Sequence, residues 1–245
     1  MRAGGRMLVV TQVSPYESGP AGVHGVLGQA ETALAELAIM AGLAPVISRD
    51  VADVRAEDLA PDVPAPGLPS VLALFTIGET PFSTAQRRAI QSSWSNGRLR
   101  ILGVHSATDA CHSWEGYGDL LGARFAGHPW TRSFRIDVRD RAHPATAHLD
   151  RSWTWHDEIY LFSKMRTDAR VLLELAPGQV DAAGAGVREP DCGYPLAWCI
   201  QDGAARSFYS ALGHFPAAWE STTYLRHLAG GLSWLLDGRS ADPTC

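Results

Sequence analysis

The residues with the most chemical reach in this chain are histidines and carboxylates that follow apolar segments. Ile101-Leu102-Gly103-Val104 runs directly into His105-Ser106-Ala107-Thr108-Asp109. A turn of this form presents its central side chain at the carboxyl end of a strand, beside backbone N–H groups that favour developing negative charge. Here that side chain is an imidazole. It cannot form an acyl enzyme as Cys or Ser would, but it can bind a metal, move a proton or hydrogen-bond a carbonyl. It also suits a plain turn cap, and the turn alone does not separate these roles.

In a mainly parallel sheet, ligands bind outside the carboxyl ends of the strands. That rule selects His24 after the first strand, Thr76 to Glu79 after Phe75, His105 and Asp109, and Gly213-His214 after Phe208 to Leu212. No H-x-x-x-H or H-E-x-x-H pair occurs, so metal ligands would have to converge from separate loops. His24, His105 and His214 are the candidates, with zinc first because imidazoles suit it.

A second group is Gly127-His128-Pro129, His143-Pro144 and His156-Asp157-Glu158-Ile159-Tyr160. Neighbouring strand residues point to opposite faces, so Asp157 and Glu158 cannot both face one site, and Tyr160 shares the face of Glu158. The catalytic candidates are His105, His24, Glu158 and Asp157. Those for substrate contact are Thr76, Asp109, Tyr117, His128, Tyr160 and Trp198, the aromatic ones offering faces on which a sugar ring stacks.

The elements that must position these groups read as a βαβα series followed by alternating strands. Met7 to Thr11 is an apolar strand, and Ser14 to Gly25 is a long polar loop. An apolar helical period covers 26–41 and closes at Gly42. Pro45 to Ser48 and Ser70 to Thr76 are strands, the second without alternation, as expected where both faces are covered. Ser83 caps a helix through Trp94, and Asn96-Gly97 ends it. Arg100 to Val104 is the next strand, and a helix is expected from near Ser106 or Thr108. Ser133 to Val138, Asp157 to Phe162 and Arg170 to Leu175 alternate as an antiparallel extension. A hairpin turns at Asp202-Gly203, and a helix runs from Ser221 to Leu236. The fold expected is α/β: a flavodoxin-like, doubly wound, mostly parallel sheet with helices on both faces and an antiparallel extension.

The chain has 245 residues, 46% hydrophobic and 19% charged, with net charge -5. No linker composition divides it, so 1–245 reads as a single domain. The acidic balance and the lack of a basic stripe argue against nucleic acid and anionic membrane as partners. With no long apolar segment and no signal-peptide pattern, a cytoplasmic location is expected. Cys111, Cys192, Cys199 and Cys245 contain no C-x-x-C pair, so neither a zinc knuckle nor a disulfide framework is indicated. The aromatic content around Trp130, Trp153 and Trp155 points toward a homodimer interface.

Taken together, Val23-His24, Ile101 to Ala107, Tyr117-Gly118-Asp119-Leu120-Leu121-Gly122-Ala123-Arg124-Phe125, Gly127-His128-Pro129, Asp140 to Pro144, Asp157 to Tyr160, Pro195 to Trp198 and Phe208 to His214 carry a family resemblance. The chain resembles the trehalose-utilization, ThuA-like family, whose fold is similar to the class I glutamine amidotransferase domain. Where that family carries a Gly-Gly-Gly run, this chain has Gly97-Arg98-Leu99-Arg100. The resemblance implies sugar metabolism on oxidised disaccharides such as 3-keto-trehalose. It also implies no amidotransferase activity, because His105 stands where the nucleophilic cysteine would be.

A 3-keto group acidifies the proton at C2, so a base can remove it and expel the glycosidic oxygen from C1, after which water adds. His105 or His24 would serve as base and Glu158 or Asp157 as acid, with a metal or imidazolium to stabilise the enolate. The expected partner is a small sugar-like substrate. Two other readings stay open: a non-catalytic sugar-binding or regulatory protein, and an acid–base enzyme recruited to specialised metabolism.

Overall fold

Residues 5–13, 23–60 and 69–237 are described by a computed structural model. Most of the polar loop expected from Ser14, and Cys245, lie outside the described residues. Five short strands, β1 (Arg6–Val10), β2 (Ala44–Ser48), β3 (Ser70–Leu74), β4 (Leu99–Val104) and β9 (Ala205–Ser210), pair in parallel in the order β2-β1-β3-β4-β9. Every residue of β3 is buried, which accounts for its uninterrupted apolar sequence.

Helices cover both faces. On one, α1 (Leu27–Met40), α4 (Pro216–Glu220) and α5 (Thr222–Leu236) pack Leu34, Leu37, Leu228 and Leu232 against Val9, Ala73, Leu102 and Phe208. On the other, α2 (Thr84–Ser95) and α3 (Tyr117–Leu121) pack Ile90, Trp94, Tyr117 and Leu121 against Leu72, Ile101 and Tyr209. The α2 start follows its sequence signal: Ser83 Oγ accepts Gln86 N–H at 3.3 Å, and Gln86 Oε1 accepts Ser83 N–H at 2.7 Å.

The remaining strands, β5 (Arg124–Val138), β6 (Ser152–Ser163), β7 (Arg170–Leu175) and β8 (Pro195–Asp202), extend the sheet antiparallel to nine strands, in the order β9-β8-β7-β5-β6. β5 meets β7 only through Ile136, Asp137 and Val138, yet pairs with β6 from Arg124 to Asp137. The β5–β6 ribbon is therefore free to leave the plane of the sheet. Irregular register around Gly127, whose φ is 138°, bends it. The ribbon folds back over β8 and β9, where the Phe162 ring meets Trp198 at 4.9 Å and Tyr209 at 5.8 Å, and reaches the end of β4, where Tyr160 meets His105. A strand at the far margin of the sheet thus reaches its centre.

His128 lies in the bulged part of β5. One expectation about the elements needs correction. No α-helix follows His105 directly: His105–Asp109 is a 3-10 turn, and α3 starts only at Tyr117. Positive φ at His105 (48°) and Cys111 (53°) diverts the path. The backbone groups that would begin a helical ladder bond to Gly78 instead, through Gly78 N–H to Asp109 O and Cys111 N–H to Gly78 O.

Candidate active site

His105 leaves β4 in a left-handed conformation that a non-glycine residue adopts only when its surroundings hold it. They do so on several sides. Gly103 lets the strand pass close to its neighbours, since a Cβ there would meet Leu121 Cδ2 at 2.5 Å and Tyr209 Cδ2 at 2.9 Å. The Tyr209 hydroxyl donates to the His105 carbonyl at 2.6 Å. His105 Nδ1 lies 2.8 Å from the Ala211 carbonyl oxygen. A carbonyl only accepts, so Nδ1 carries the proton and the lone pair is on Nε2. Burial holds the imidazolium pKa down at about 4 against the Ala211 bond, which favours the cation. The ring is a neutral, fully buried base.

That lone pair faces residues from two other elements. His214 Nδ1 lies 3.2 Å away, Tyr160 Oη 2.9 Å and Glu158 Oε2 3.5 Å. Glu158 Oε2 is also 3.4 Å from His214 Nδ1, while Glu158 Oε1 is 3.6 Å from Nδ1 of the more exposed His128. Strand alternation puts Glu158 and Tyr160 on the same face of β6, and the returning ribbon carries that face to the elbow.

Burial, reinforced by the neighbouring Asp157 charge, raises the Glu158 carboxyl to about 7. Burial first, then His105, lowers His214 to about 4. The Tyr160 phenol is pushed well above its usual range by burial, so its oxygen stays protonated.

Asp157 faces away from this cluster. Its carboxylate accepts Trp155 Nε1–H at 3.0 Å, Glu158 N–H at 3.0 Å, Gly213 N–H at 2.8 Å and His214 N–H at 3.3 Å. The carboxylate thus ties the Gly213-His214 turn to β6.

The structure brings together His105, Glu158, Tyr160, His128 and His214. The backbone of His24 lies in a 3-10 turn, Val23–Val26, and its side chain is outside what is described. Among the described residues, the three side chains that could hold a metal together are His105, Glu158 and His214. Thr76 is buried beyond β3, and Asp109 closes the elbow turn with His112 Nε2 at 3.5 Å.

Tyr117 and Trp198 are corrected to core residues. The Tyr117 hydroxyl donates to Ala107 O at 2.9 Å, and Trp198 Nε1 donates to Leu121 O at 2.7 Å, so neither ring has a face left for a ligand. The backbone contacts made by Ala211 O and Gly213 N–H are not written in side-chain types. The glycine that lets the chain turn at Gly213, where φ is 126°, was their visible trace. A 400 Å³ cavity is lined by Thr108, Ser113, Asp119, Arg124, Phe125 and Lys164, among others. It shares Phe125 with the wall of the site, since that ring meets Tyr160 edge-on at 4.6 Å.

A doubly wound α/β sheet with a histidine elbow at its centre is the class these features define. A family model described as trehalose utilisation, ThuA, matches residues 20–235. The chain belongs to the ThuA family. Among solved structures it is similar to a ThuA-like protein from Bacteroides uniformis, with TM-score 0.71 and 20% identity, covering 97% of this chain and 94% of that one. A ThuA-like protein from Parabacteroides merdae gives TM-score 0.70 and 16% identity over 98% and 93% of the two chains. A cytoplasmic protein from Salmonella typhimurium gives 0.55 and 12% over 94% and 98%. At these identities the likeness is one of fold. No curated protein matches the chain by sequence. Among the described residues, no helix is long and apolar enough to cross a membrane.

Proposed function

We propose that this chain is a carbohydrate-processing enzyme that cleaves an oxidised, 3-keto glycoside by elimination and hydration at the His105–Glu158–His214 cluster, with a divalent metal, zinc first, held by those three residues. One observation carries the reading. The three donor atoms lie 3.2, 3.5 and 3.4 Å apart, close to the edge of about 3.4 Å that a tetrahedral zinc with bonds of about 2.0–2.1 Å requires. Two imidazoles and one carboxylate are a donor set used by catalytic zinc, which leaves a fourth position for a ligand. The His105–Ala211 bond is the outer-shell support that fixes such a ligand's tautomer. Bound there, a metal would supply a Lewis acid for the ketone oxygen.

The chain's own groups account for the proton movements. His128, the exposed imidazole of the cluster, takes the proton from C2; the C2–H electron pair forms the C1–C2 double bond as the C1–O bond breaks. The imidazolium returns its proton to the leaving oxygen, and water then adds across the double bond, so the net change is hydrolysis.

The test is metal analysis of purified protein, followed by mass-spectrometric turnover of 3-keto-trehalose and 3-keto-glucosides by wild type, His105→Ala and Glu158→Gln. Stoichiometric metal, product from wild type and none from either variant support the reading. Activity that persists without metal and with chelator present overturns the metal. Sugar binding without product overturns the enzyme and favours a sugar-binding protein.

A further inference from the structure

His105 has a single lone pair to offer. Nδ1 is committed as a donor to Ala211 O at 2.8 Å, so everything that needs an acceptor or a ligand on this ring must use Nε2. The Tyr160 hydroxyl already does: it lies 2.9 Å from Nε2, and because that nitrogen has no hydrogen the phenol is the donor. The two rings lie at 35° with centroids 4.6 Å apart, and Tyr160 is held from behind by Phe125 at 4.6 Å and Phe162 at 6.1 Å. The phenol therefore cannot swing away as a surface tyrosine would. Only its O–H can be redirected.

We propose that Tyr160 and a divalent cation compete for the Nε2 lone pair of His105, and that cation binding releases the Tyr160 O–H to serve as a hydrogen-bond donor to the substrate oxygen on which charge develops. This rests on the metal-assisted reading above. Tyr160 becomes a coupled element of the site: it holds His105 in register before loading and becomes the oxyanion donor afterwards. Glu158 and His128 flank the same pair, since the His128 ring stacks on Tyr160 at 5.8 Å and Glu158 Oε2 lies 3.5 Å from His105 Nε2. A substrate oxygen reaching the cation thus also reaches the phenol.

The test is Tyr160→Phe, which keeps the ring and its packing and removes only the hydroxyl. Zn2+ and Co2+ are titrated against a chelating competitor into metal-free wild type and variant, with thermal melts to confirm that both are folded. The expected result is tighter metal binding in the variant, by about fivefold, because one ordinary neutral hydrogen bond no longer has to be broken. At saturating metal, kcat on a 3-keto-glucoside falls about 100-fold, the usual size for loss of one oxyanion donor.

Weaker metal binding in the folded variant overturns the proposal, because it makes Tyr160 a ligand or a support. Unchanged affinity overturns the competition, and unchanged kcat overturns the donor role. If wild type binds neither metal, the metal reading itself is overturned and this proposal goes with it.

Discussion

The carboxylate of Asp157, on β6, accepts the backbone N–H of Gly213, beyond β9, at 2.8 Å. This contact ties the ribbon to the turn that presents His214. With Trp155 Nε1 and the backbone N–H groups of Glu158 and His214, the carboxylate meets donors on both oxygens. In Asp157→Asn, whichever way the amide lies, its NH2 faces N–H donors. The expected outcome is a folded protein destabilised by about 1–3 kcal/mol. Metal affinity falls by about 10- to 100-fold, as for loss of an outer-shell support. Thermal melts and a metal titration check both; unchanged metal affinity would show that His214 does not need this anchor.

Trp198→Phe separates core from site. The indole is fully buried and its N–H satisfies Leu121 O at 2.7 Å. The variant should lose about 1–3 kcal/mol of stability, from an orphaned carbonyl and a small void, in chemical denaturation. Its affinity for a keto-sugar should match wild type. A selective loss of sugar binding would return Trp198 to the ligand.

The glycines of the helices give opposite expectations. A Cβ on Gly230, in α5, would lie 2.2 Å from Pro144 O and 2.6 Å from Ala145 Cα, and no rotamer change relieves a backbone clash. Helix propensity favours Ala over Gly by about 1 kcal/mol, but overpacking typically costs about 1–3 kcal/mol, so Gly230→Ala should destabilise. Gly28, in the first turn of α1, has nothing within 4 Å of a Cβ, and Gly28→Ala should stabilise by up to about 1 kcal/mol. Paired urea titrations give both signs.

Stability should fall as pH drops below neutrality. His227 and His143 are buried, and burial lowers both pKa values to about 4, against about 6.5 in the unfolded chain. Between those values the unfolded state binds more protons, so the stabilisation is complete above about pH 6.5 and is lost as pH falls toward 4. Removing one such histidine, as in His227→Phe, should flatten the acid limb by up to about 1.4 kcal/mol per pH unit. Equal slopes in denaturation series from pH 7 to 4.5 would contradict this.

Much of the scaffold was legible in the sequence because it rests on local signals: the apolar run into His105, the Ser83 helix cap, and the period-2 spacing that put Glu158 and Tyr160 on one face. What escaped depends on distant parts of the chain. A buried aromatic and a ligand-stacking aromatic look alike in sequence, which is why Tyr117 and Trp198 stand among the expected substrate contacts. The helix expected after His105 gave way to bridging with Gly78. The partnership of Glu158 with His105 and His214 required the register of β5 against β6 and the bend at Gly127, neither of which local pattern specifies.

The slender attachment of the β5–β6 ribbon has a dynamic consequence. Three residues of β5 join it to β7, while its far end rests on the elbow of β4 and the turn after β9. Backbone pairing to the rest of the sheet is limited to those three residues, so amide exchange along the outer parts of β5 and β6 should be faster than in β3 or β4. A ligand gripping His105, Glu158 and His214 together would slow it. Occupancy of the site would then be readable, without any assay of chemistry, as a latch closing the margin of the sheet onto its centre.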